Sequence, residues 1–128
     1  MTLTAASDTL EMIRGDIVTW QFTVTDNSTA VNLTGATVRF VVRDSIPAGT
    51  TTSDSGAVFV VTTTDNISLT DPTNGIMEIT VPKASTYSLA SVNTLEYFYG
   101  VEAIFSGATD PASIAYGKLK IYPDIVRA

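Results

Sequence analysis

The residues in this sequence best suited to chemistry are carboxylates, and their types and spacing point to little of it. Glu96 and Glu102 fall on one face of a single alternating run, six residues apart. A strand rises about 3.3 Å per residue, which separates them by roughly 20 Å, too far for the paired carboxylates of glycoside hydrolysis. Asp65, Asn66 and Asp71 carry oxygens that could face a calcium ion. They lack the tight alternating order of a dedicated calcium loop and read as turn residues. Arg14-Gly15-Asp16 spells an integrin-ligand tripeptide. Between two strand-like runs it reads as a turn, with glycine supplying a positive φ. Asn27-Ser28-Thr29, Asn32-Leu33-Thr34 and Asn66-Ile67-Ser68 match glycosylation acceptors. Loops rich in Ser and Thr produce such triplets by chance.

Two residue types are missing altogether: the 128-residue chain has no histidine and no cysteine. That removes Ser-His and Cys-His nucleophiles, most catalytic zinc sites and every disulfide. A carboxylate pair or a Ser-Lys arrangement stays formally open. The expectation is a protein that is not an enzyme, with no catalytic residue, no cofactor and no metal. Its formal net charge is −6, and its seven Lys and Arg are scattered. Nucleic acid is therefore not an expected partner. No apolar run approaches the roughly 20 residues that span a bilayer, so no membrane is expected. Residues 1–7 show neither the basic start nor the apolar stretch of a signal peptide, which suggests a chain kept or assembled in a cytoplasm.

The elements that would position any site are strands. Short runs rich in Val, Ile, Thr and aromatics alternate with turn clusters, and helical periodicity is nearly absent. In 17–25, Val18, Trp20, Phe22 and Val24 alternate with Thr19, Gln21 and Thr23. In 36–43, Val38, Phe40 and Val42 oppose Arg39, Val41 and Arg43. Further runs are expected at 9–13, 57–63, 76–81, 95–105 and 114–122, with shorter ones at 31–33 and 65–69. A long loop covers 44–56, and 83–90 is the one helical piece, crossing between sheets. This predicts an all-β immunoglobulin-like sandwich of about seven antiparallel strands. Residues 1–8 form an N-terminal arm and 9–128 a single domain. Trp20, Phe22, Phe40, Ile79, Tyr99 and Leu119 are the expected core.

The order of motifs is similar to that of a known family. Arg14-Gly15-Asp16 precedes the Trp20/Phe22 run, followed by the block from Leu33 through Thr34, Gly35, Ala36, Thr37, Val38 and Arg39 to Phe40. Asn74-Gly75, Tyr99-Gly100-Val101-Glu102 and the closing Gly117-Lys118-Leu119-Lys120-Ile121-Tyr122-Pro123-Asp124 complete the set. Together they resemble the N-terminal domain family of the phage baseplate upper protein, across roughly 9–127. The resemblance implies an immunoglobulin-like virion module without catalysis or cofactor. In that family the domain precedes a longer chain bearing the receptor-binding attachment, whereas this sequence ends just after the module, which leaves neck and capsid-surface positions open beside the baseplate.

Function would then reside in surfaces. Val41, Phe98 and Ile104 are expected on the outer faces of their strands, where an apolar patch marks a protein interface. Residues 57–63 are apolar on both faces, so Phe59 and Val61 join the candidate interface. The expected role is a tailed-phage structural protein in the virion, assembled in the host cytoplasm. It docks onto other virion proteins of the tail, baseplate or neck as a homo-oligomer or in many copies, with no small-molecule substrate. Capsid decoration is the alternative. A carbohydrate-binding sandwich is a further one, with Tyr87, Tyr116 and Tyr122 as candidate stacking rings.

Overall fold

The computed structural model describes residues 9–45, 56–89 and 93–124. The arm expected at 1–8 and most of the loop at 44–56 lie outside these. Ten strands form: β1 (Leu10–Ile13), β2 (Val18–Thr23), β3 (Thr25–Asp26), β4 (Thr29–Ala30), β5 (Thr37–Arg43), β6 (Ala57–Thr62), β7 (Ile67–Asp71), β8 (Ile76–Val81), β9 (Leu95–Ile104) and β10 (Ala112–Tyr122). Among the described residues a single 3-10 turn, Pro72–Asn74, precedes β8 and one short α-helix, α1 (Lys83–Tyr87), follows it.

The strands build a five-stranded sheet ordered β1-β10-β9-β5-β6 and a three-stranded sheet ordered β2-β8-β7, with β3 and β4 pairing as a separate hairpin. This is the immunoglobulin-type arrangement, an all-β sandwich as the alternation predicts. The pairing is antiparallel except at one edge, where β1 runs parallel to β10. The count of ten exceeds the expected seven chiefly through short edge and hairpin strands. Asn27 and Ser28 both take positive φ, closing a tight β3–β4 turn of the kind that hairpins favour. Val31 and Leu33 are buried there without forming a strand.

The period-2 pattern explains which side chains fill the space between the sheets. Val38, Phe40 and Val42 of β5, Met77, Ile79 and Val81 of β8, and Tyr99, Val101 and Ala103 of β9 are all buried. Aromatic rings span the two layers: Trp20 lies 5.9 Å from Phe40, and Phe22 lies 6.5 Å from Tyr99. Burying each such side chain contributes roughly 1.5–3 kcal/mol. Trp20, expected fully inside, is only partly buried, because β2 is an edge strand and its neighbour covers one side. At Gly75 φ is +73°, and a Cβ would sit 2.4 Å from the Val24 carbonyl, so the turn into β8 admits only glycine.

α1 is shorter than the expected 83–90. Pro82 stands at its N-terminal boundary, and Ser88 closes it. The chain passes through it from the smaller sheet to β9 of the larger, as a crossover requires.

Candidate docking surface

Residues directly opposite in a sheet share a face, so the register lays out the outer surface of the five-stranded sheet. Val41 stands between Val60 of β6 and Gly100 of β9, and Gly100 faces Tyr116 of β10. The row Val60–Val41–Gly100–Tyr116 thus crosses four strands. Phe98 lies one step along β9, between Arg43 and Lys118, and Ile104 stands opposite Thr37. No atom lies within 4 Å of where a Gly100 Cβ would be, which leaves a trough between Val41 and Tyr116 with backbone at its floor. Tyr116 borders it and is 61% exposed.

Charged pairs border this apolar row. Arg39 approaches Glu102 at 3.8 Å, and Lys120 approaches Glu96 at 3.9 Å. Such exposed pairs contribute at most about 1 kcal/mol each, so their main effect is to place polar groups around an apolar centre. The two carboxylates that opened the sequence question are engaged here. Near the β1 edge, a side-chain hydrogen bond with Glu11 is the main cause that raises the Tyr122 hydroxyl above its ordinary pKa.

The sequence-derived residues divide. Val41, Phe98 and Ile104 lie on this outer face. Phe59 and Val61 do not: they stand opposite Val42 and Phe40 and face the core. Val61 is 1% exposed, and the Phe59 ring lies 6.3 Å from that of Phe40. In a strand apolar on both sides, alternation gives no phase, and pairing with β5 supplies it. Val60 is the β6 residue on the outer side.

The three tyrosines considered for carbohydrate stacking share no platform. Tyr116 and Tyr122 are six residues apart on β10, and Tyr87 lies on α1. The Tyr87 ring sits beneath two cations, with the Arg14 guanidinium 5.7 Å and the Lys83 ammonium 5.1 Å from its centre. Arg14 also donates to the Tyr87 carbonyl at 2.6 Å, and the Gly15 N–H donates to the buried Thr86 hydroxyl at 2.8 Å. With φ of +81° at Gly15, the Arg14-Gly15-Asp16 segment is a turn latched onto α1. Ile13 and Ile17, on either side of the turn, and Tyr87 on α1 are exposed.

Asp71 accepts from Asn74 at 2.9 Å, and Asp65 accepts from Asn66 at 2.8 Å. These contacts fix turns on either side of β7. Among the described residues no group of three or more metal-ligating acids is found.

A scan against protein families matches residues 14–94 to the BppU N-terminal domain. The chain belongs to this family. BppU is the baseplate upper protein of phage, so the BppU N-terminal domain is a structural, baseplate-associated module and not a known enzyme family. The matched span runs from the β1–β2 turn through β8 and α1 and stops just before β9. β9 and β10, which carry half of the outer face, lie beyond it. A comparison with curated proteins returned no significant match.

Proposed function

We propose that this chain is a structural module of a tailed-phage virion that docks onto neighbouring baseplate subunits through the outer face of its five-stranded sheet. The observation that carries this reading is the row Val60–Val41–Gly100–Tyr116, apolar and open along its centre, with charged pairs at its border. An apolar centre with a polar rim is the anatomy of a protein–protein contact. Membership of a baseplate family supports other virion proteins as the neighbours. The chain's own action would be positional: it fills a defined place in an assembly, in several copies.

The reading is tested by replacing Val41 with Asp and following the protein into purified particles. The substitution leaves the core side chains in place and costs about 1 kcal/mol of stability. Particles from the variant are expected to lack the protein, while the purified variant unfolds cooperatively. Variant particles with wild-type copy number would refute docking by this face. Label density on the head instead of the tail would favour capsid decoration.

A further inference from the structure

The smaller sheet ends on β2, and the direction of the β2 backbone groups can be assigned. The Val24 N–H donates to the Gly75 carbonyl at 2.9 Å, which continues the register pairing Thr23 with Ile76. Hydrogen-bonding direction alternates along a strand. Val18, Trp20 and Phe22 therefore aim their N–H and C=O groups at β8. Ile17, Thr19, Gln21 and Thr23 aim theirs at the open side. The Thr19 and Thr80 hydroxyls, 2.9 Å apart, fit the closer, non-hydrogen-bonded pairing expected at that position. Among the described residues no strand and no backbone–backbone hydrogen bond meets the outward groups.

Exposed edges are ordinarily blunted by charge, proline, bulges or shortness. The run 17–25 contains no charged residue, no proline and no glycine. The other edges differ. β1 has four residues and carries Glu11, and the pairings of β6 and β7 contain register shifts.

We infer that β2 pairs with β2 of a second copy, antiparallel about a two-fold axis at Trp20. Thr19 then lies opposite Gln21 of the other copy, Ile17 opposite Thr23, and Trp20 opposite itself. Only a register of this parity keeps both core faces on the same side. It also satisfies every outward N–H and C=O of Ile17, Thr19, Gln21 and Thr23. The two three-stranded sheets become one continuous sheet of six. A second copy fits this edge on charge: each chain carries −6, and this uncharged strip is where two copies approach with least repulsion. Ile17, at 71% the most exposed large apolar side chain described, gains cover against Thr23. The inference does not depend on the baseplate reading.

The absence of native cysteine makes a clean test. Directly opposite Cα atoms in this register are about 5.5 Å apart, within disulfide reach. An equimolar mixture of Thr19→Cys and Gln21→Cys chains is expected to give a disulfide-linked mixed dimer under mild oxidation, with neither chain linking to itself. Light scattering should show the wild type at two-chain mass. Gln21→Pro, which removes only an outward N–H, should fall to one-chain mass while still unfolding cooperatively. A wild type that stays at one-chain mass overturns the inference and leaves the edge to a foreign strand. Self-linking by Gln21→Cys alone, or a dimer that survives Gln21→Pro, overturns it as well.

Discussion

At the scale of single residues, Thr86 ties two distant parts of the chain together. It is the one fully buried polar side chain among the described residues, and its hydroxyl accepts from the N–H of Gly15. Replacing it with Val keeps the shape and strands that N–H away from water. The expected cost is about 1–3 kcal/mol. Chemical denaturation should show this for Thr86→Val and only a small change for Thr86→Ser, which retains the hydroxyl. Equal losses in both variants would mean that packing, not the hydrogen bond, holds the turn. Nothing in the sequence marked Thr86, since one or two turns of helix set no reliable face. The outward side chains of β5 and β9 were legible, because Val41, Phe98 and Ile104 alternate with residues that plainly belong inside. Phe59 and Val61 were misassigned for the opposite reason. Their strand is apolar at every position from Ala57 to Val61, and only its pairing with β5 decides which residues turn inward.

At the scale of elements, β9 stands near the middle of the larger sheet and carries a glycine on its outer face. Gly100 does not adopt a positive φ, and nothing crowds its missing side chain. A strand-interior glycine of this kind costs about 0.5–1 kcal/mol relative to alanine. Gly100→Thr should therefore raise unfolding free energy by about that amount while filling the trough between Val41 and Tyr116 and reducing incorporation into particles. A variant that is more stable and incorporates normally would show that the trough has no part in docking. Most strands were legible within a residue or two from alternation and turn chemistry. The β3–β4 hairpin was not, because two-residue strands leave no period to read. The shift between Ser113 and Ala115 was equally hidden, and it buries Ile114 although Leu119 and Ile121 set the opposite phase.

For the molecule as a whole, the described residues present two different surfaces: the outer face of the larger sheet and the β2 edge of the smaller one. The fold class and the family could be read from the sequence because strand spacing and motif order are local properties. The face could be read only in part, since it is assembled from β5, β6, β9 and β10, whose adjacency appears only in the sheet order. The central claim is that this face is covered in the assembled particle. Lys118 and Lys120 lie on its β10 side, one opposite Phe98 and the other opposite Glu96, whereas Lys83 lies on α1 and provides an internal reference. The most direct measurement is amine-modification mass spectrometry on the free chain and on purified particles. The account predicts that Lys118 and Lys120 lose most of their reactivity relative to Lys83 on assembly. Unchanged relative reactivity of both residues in the particle would contradict it.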